Sequence, residues 1–143
     1  MKNALQRTPY GTVVATALPF DAALERAKIL LKEEGFGVVC EIDITKTLHE
    51  KIGTSFRPYR ILGACNPAIA YEALGTDAQI GLLLPCNVVV QQEEGHTIVS
   101  AIDPVTLMEV AQNPSLLPFA KDAGTRLARA IQRLADEAPS EEL

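Results

Sequence analysis

Apolar and polar residues alternate in blocks that predict strands and helices in turn along the first half of the chain. Residues 12–17 have the pattern of a strand, and residues 20–34 repeat apolar side chains at helical spacing until a glycine ends the helix. Residues 38–44 alternate as a second strand, and Cys40 falls on its apolar face, where we expect it to fill the core. A short helix over residues 47–52 completes this half.

The second half of the chain adds a β-hairpin and further helices. Its predicted elements are strands over residues 59–65, 86–92 and 97–102 and helices over residues 67–74, 104–110 and 118–135. Glu93-Glu94-Gly95 is typical of a hairpin turn between two antiparallel strands. The element order predicts an α+β fold, with a mixed, mainly antiparallel sheet of about five strands covered by helices.

Length, charge and hydrophobic runs indicate how many domains the chain has and which kinds of partner it lacks. The 143 residues predict one α+β domain over residues 1–137 and a flexible acidic tail over residues 138–143. The net charge is −5 and no basic patch stands out, so we expect no nucleic-acid partner. No apolar run reaches the roughly 18 residues of a membrane span, and no signal segment opens the chain. We therefore expect a cytoplasmic protein without a membrane partner, although a processed periplasmic form would have the same composition.

Two Cys-Asn pairs carry the candidate chemistry, and each lies beside a proline. Cys65 ends a predicted strand, and Asn66 followed by proline is typical of a helix start, where a thiol lies near the positive end of the helix. The second pair, Cys86-Asn87, opens the next strand. We interpret these four residues as ligand-binding candidates, together with Arg60, whose charge could neutralise an acidic ligand.

The thiols also support two other interpretations. Cys65 and Cys86 could form a thiol-redox pair, or both could be small residues that fill tight turns without reacting. The chain has three cysteines and no Cys-x-x-Cys spacing, which argues against a disulfide framework and a structural zinc site.

Two histidines are candidate metal ligands. His49 lies on the predicted short helix and His96 begins a strand, and either could serve as an axial ligand of haem b. A symmetric dimer would present His49 twice. The plain alternative is an ordinary surface histidine at both positions.

The block over residues 57–90 resembles the domain-of-unknown-function-302 family. The matching segments are Tyr59, ILGACNP at residues 61–67, the Ala73-Leu74 pair and IGLLLPCNV at residues 80–88. The resemblance implies a compact α+β fold that forms dimers, and it implies no agreed activity. The family is lysine-like where this chain has His49.

These observations favour one hypothesis over its rivals without assigning a reaction. We expect a homodimer that binds a small ligand or cofactor near Cys65 and Cys86, since sheet edges left open by five strands would favour the pairing of two copies. Haem binding is the first alternative and thiol redox the second. No phosphate-binding loop, nucleotide fingerprint or Ser-His-Asp order is present in the sequence.

Overall fold

The computed structural model describes residues 4–137 and has the α+β architecture that the sequence predicts. Residues 1–3 and the predicted tail over residues 138–143 lie outside the described part. The strands are β1 (Gln6–Arg7), β2 (Gly11–Thr16), β3 (Gly37–Asp43), β4 (Tyr59–Cys65), β5 (Cys86–Glu93) and β6 (His96–Ile102). The α-helices are α1 (Phe20–Glu33), α2 (Ile44–Ile52), α3 (Pro67–Thr76), α4 (Met108–Ala111) and α5 (Leu117–Ala135). Short 3-10 helices cover Ala78–Leu83, Pro104–Leu107 and Pro114–Leu116.

The strands form one sheet in the order β1-β2-β6-β5-β4-β3, and every pairing is antiparallel. The predicted hairpin is confirmed, because β5 and β6 are joined by a turn at Glu94 and Gly95, where Gly95 has a φ of 84°. The sheet has one strand more than predicted. That strand, β1, has only two residues, too few to produce a recognisable alternation.

The core lies between one face of the sheet and helices α1 and α5. Strand residues that face these helices, such as Val14, Leu62, Val88, Val90 and Val99, are almost completely buried. The helices contribute an apolar stripe at helical spacing. Its buried members are Ala23, Leu24, Ala27, Leu30 and Leu31 from α1 and Ala120, Ala123, Leu127, Ala130, Ile131, Leu134 and Ala135 from α5.

On the opposite face of the sheet, the side chains of the described residues are less completely buried. Val13, Ser100, Val89, Ile61 and Ile42 lie side by side across five strands in one transverse row, and each is partly or largely exposed. We call this the open face.

Across residues 4–137, no helix is both long and apolar enough to span a bilayer.

Cys40 lies on the open face and is exposed, so the prediction that it fills the core is wrong. A bulge between Val38 and Cys40 shifts the β3–β4 register, and the extra residue reverses the alternation of faces along β3. Val38 packs against the core, whereas Cys40 and Ile42 pair with open-face positions of β4.

Helix α2 begins earlier than its predicted start because Asp43 caps it. The Asp43 carboxylate accepts a hydrogen bond of 3.0 Å from the backbone N–H of Lys46. The helix ends where predicted, at Gly53, which has a left-handed φ of 69°. Thr45 Oγ1 donates to the Arg57 carbonyl at 2.6 Å and accepts from the Tyr59 N–H at 2.9 Å, so α2 is held beside the start of β4.

Candidate ligand-binding cavity

An apolar cavity of about 370 Å³ lies at the end of the sheet where β4 ends and β5 begins. Small-molecule sites usually have volumes of roughly 300–1,000 Å³, so the cavity is large enough for one. Leu74 is 41% exposed and Val39 is 66% exposed, which places part of the rim in solvent. The cavity is therefore accessible from outside.

Strand pairing brings the two thiols to this cavity. Ala64 pairs with Cys86 in the β4–β5 ladder, and Cys65 follows Ala64 at the end of β4. Cys65 is half-buried and Cys86 is buried, and both line the cavity. The sequence separates these cysteines by a helix and a loop, but antiparallel pairing places the end of one strand beside the start of the next.

Asn66 lines the cavity and caps α3, as its position before a proline predicts. Its Oδ1 accepts a hydrogen bond of 3.1 Å from the backbone N–H of Ile69, and Pro67 occupies the first turn. The side-chain amide nitrogen lies against Gly35, so close that a Cβ added at Gly35 would lie 2.7 Å from it. Asn66 thus caps α3 and packs against the turn that follows α1.

The environment of Cys86 favours its neutral thiol. Burial raises the pKa of Cys86 to about 11, and the nearby Cys65 adds to the increase. At neutral pH the Cys86 thiol is therefore protonated, and it behaves as a small apolar group rather than as a nucleophile.

The remaining lining is hydrophobic and comes from segments between residues 36 and 123. The other lining residues are Phe36, Val39, Ala64, Ile69, Ala70, Ala73, Leu74, Ile80, Gly81, Leu83, Leu84, Pro85, Pro104, Leu107, Met108, Leu116, Phe119, Ala120 and Ala123. None of these described lining side chains is charged. Every buried side-chain nitrogen or oxygen within residues 4–137 has a hydrogen-bond partner. The described part of the cavity wall therefore contains no buried, unsatisfied side-chain nitrogen or oxygen.

Two of the predicted ligand-binding residues lie elsewhere. Asn87 follows Cys86 on β5 and therefore points to the other side of the sheet, where it pairs with Gly63 on the open face and is exposed. Arg60 forms ion pairs with Glu41 and, at 3.3 Å, with Asp43 on the neighbouring strand. Its charge is neutralised within the protein.

Neither candidate metal ligand reaches the cavity. His49 is exposed on α2, and His96 is exposed at the start of β6, after the hairpin turn. Residues 4–137 contain no group of three or more His, Cys, Asp or Glu side chains placed to hold a metal ion.

Sequence reasoning missed the C-terminal half of the cavity wall. Phe119 and Ala123 fall within the predicted helix over residues 118–135, and nothing in the sequence marked them as cavity residues, yet both line the cavity. Leu107, Met108 and Leu116 do so from short helical turns before α5. One signal could have indicated this wall. Leu107, Met108 and Leu116 are apolar but lie outside the long amphipathic helices, so the sequence shows no element against which they would pack.

Comparisons with known proteins agree on one family. The family model for the domain of unknown function DUF302 matches residues 12–134. The chain is also similar to the crystal structure of an uncharacterized conserved DUF302 protein from Bacillus stearothermophilus. The identity is 34%, the TM-score is 0.80, and the match covers 85% of this chain and 95% of the other. No curated protein matches the chain.

Proposed function

Because the chain belongs to the DUF302 family, whose description states no activity, we propose its function from its own geometry: it binds a small apolar ligand in the cavity and works as a homodimer. The observation that carries the ligand proposal is the cavity itself. It is accessible at its rim, it has the volume of a small-molecule site, and its wall is apolar. The class of ligand follows from the wall, because a charged ligand would lose its hydration without gaining a partner.

The cavity retains part of the predicted site. Cys65, Asn66 and Cys86 line it, and the amide of Asn66 and the thiol of Cys65 are the polar side-chain groups that could orient a ligand. Arg60 and Asn87 are not needed for this function, since neither lines the cavity.

The two alternatives receive less support. Haem binding through His49 or His96 would need a separate surface, because neither histidine lines the cavity. Thiol redox is favoured by the shared cavity of Cys65 and Cys86, but the raised pKa of Cys86 disfavours the thiolate that such chemistry requires. We therefore rank both below apolar ligand binding.

An uncharged fluorescent probe tests the proposal directly. N-phenyl-1-naphthylamine should bind the full chain with a saturable rise in fluorescence, and a sulfonated naphthylamine should bind more weakly because the wall has no cation. Ala70→Phe, on the half-buried cavity side of α3, should fill space and weaken binding by at least about 10-fold, a loss of about 1.4 kcal/mol.

Ala68→Phe is the matched control, because Ala68 is exposed on the same helix and does not line the cavity. We expect it to bind the probe as the wild type does. Absence of saturable binding by the wild type, or equal affinity in a folded Ala70→Phe variant, would refute the cavity as the site.

A further inference from the structure

We infer that the open face of the sheet is the surface through which two copies of this chain associate. The inference deepens the homodimer part of the proposed function and does not depend on the cavity ligand. The sequence suggested a dimer through the sheet edges, but the face opposite α1 and α5 also presents partly exposed apolar side chains.

The register shows how continuous this surface is. One row across the sheet consists of Val13, Ser100, Val89, Ile61 and Ile42. The adjacent row on the hairpin side contains no charged side chain either: Ala15, Ile98, Gln91 and Tyr59 lie side by side across β2, β6, β5 and β4.

Branched apolar side chains make up four of the five residues in the first row, and the second row adds Ala15, Ile98 and the ring of Tyr59. None of the side chains in the two rows is fully buried in the single chain. Ile42 is 45% exposed. Continuous apolar patches of this kind mark interaction sites in proteins that are otherwise monomeric.

The size of the face is sufficient for a dimer. Five strands about 4.8 Å apart, each contributing about six residues at 3.4 Å, cover roughly 500 Å² on one copy. Two copies would bury about 1,000 Å², which reaches the lower bound expected of a specific interface.

The composition of the face favours a second copy as the occupant. Each copy has a net charge of −5, but the two rows contain no charged side chain, so stacking them brings no like charges together and desolvates none. Two uncharged, mainly apolar sheet faces can stack about 10 Å apart, as sheets do in sandwiches. A two-fold axis would make the same patch serve both partners.

A charge at the centre of the face tests the inference. The wild-type chain should have twice its 15.4 kDa mass by light scattering at about 10 μM. Val89→Asp, in the middle of the row, should raise the dissociation constant of the dimer at least about 100-fold and give the monomer mass, because the new carboxylate would be buried without a partner. Val110→Asp is the matched control, since Val110 is 71% exposed on α4, and it should remain dimeric.

Ser100→Arg serves as a second disrupting variant, because Ser100 is already polar and half-exposed and the change is easily accommodated in a monomer. Circular dichroism establishes that each variant is folded. A monomeric wild type would refute both the homodimer and this interface. A folded Val89→Asp or Ser100→Arg variant that stays dimeric would refute the open face alone. Probe binding by a monomeric variant would leave the cavity proposal intact in either case.

Discussion

The three cysteines show how strongly position decides the behaviour of one residue type. Cys40 is exposed on the open face, Cys65 is half-buried at a strand end, and Cys86 is buried in the cavity wall. The sequence places all three at the same kind of site, in or beside a strand. Only the surroundings in the fold distinguish Cys86, whose thiol is buried away from solvent, from the other two cysteines.

Alkylation of Cys86 should be slow and strongly dependent on pH. With a pKa of about 11, only about one thiol in ten thousand is a thiolate at pH 7. In a Cys40→Ser, Cys65→Ser background, iodoacetamide should label native Cys86 at least about 100-fold more slowly than the same chain in urea. The native rate should increase steadily from pH 8 to pH 11, as measured by mass spectrometry. Rapid native labelling at pH 7 would contradict this environment and would strengthen the thiol-redox alternative.

At the scale of elements, one bulge in β3 and one glycine in β4 determine how the edge of the sheet packs. The bulge turns Cys40 onto the open face, above Gly63 of the neighbouring strand. Pro85, which precedes β5 on the other flank of β4, contacts the same glycine. A Cβ at Gly63 would lie 2.8 Å from Pro85 Cγ and would also meet the Cys40 sulfur. The close approach of three segments therefore requires a residue without a side chain.

Gly63→Ala should lower the free energy of unfolding by about 1–3 kcal/mol, because the proline ring cannot move aside as a flexible chain end would. Gly75→Ala is the matched control on α3, where the added Cβ would meet no atom within 4 Å beyond its chain neighbours and the backbone of its own helix. That change should be neutral or stabilise by up to about 1 kcal/mol, since alanine is the better helix former. Urea unfolding measures both, and equal stability of the two variants would show that the contact at Gly63 costs nothing.

At the scale of the whole molecule, ion pairs link α1 to elements distant in sequence. Glu34, which follows α1, accepts two hydrogen bonds of 2.8 Å from Arg129 of α5. Lys28 of α1 pairs with Glu41 of β3 at 2.8 Å. Hydrogen bonds from Arg129 lower the pKa of Glu34, and those from Lys28 lower the pKa of Glu41. Both carboxylates are thus more acidic in the folded chain than in the unfolded one.

These shifts predict a loss of stability in acid. A carboxylate with a lowered pKa stabilises the fold above its unfolded pKa of about 4.3, and the contribution disappears as the pH falls through the folded value. Unfolding free energies measured by urea from pH 7 to pH 3 should decrease below about pH 5, and the decrease should be smaller in Glu34→Gln. Glu94→Gln, in the exposed hairpin turn, should keep the wild-type profile. A Glu34→Gln profile parallel to that of the wild type would contradict the role of this pair.

The sequence by itself determined the features that depend on neighbouring residues. The α+β class, the hairpin at Gly95 and the cap of α3 at Asn66 follow from periodicity, turn residues and capping within a few positions along the chain. The same local signals predicted five of the six strands. They also singled out Cys65, Asn66 and Cys86 as candidates, because changes between strand and helix are visible in the order of residues.

Only the tertiary structure decided which of those residues line the same cavity. Strand register places Cys65 and Cys86 on one cavity, and the two-residue period of a strand sends Asn87 to the opposite face. A single bulged residue in β3 places Cys40 on the open face. Arg60 forms its ion pairs with carboxylates of the neighbouring strand. These outcomes depend on pairing between segments that are distant in sequence, and no pattern within one segment specifies its partner.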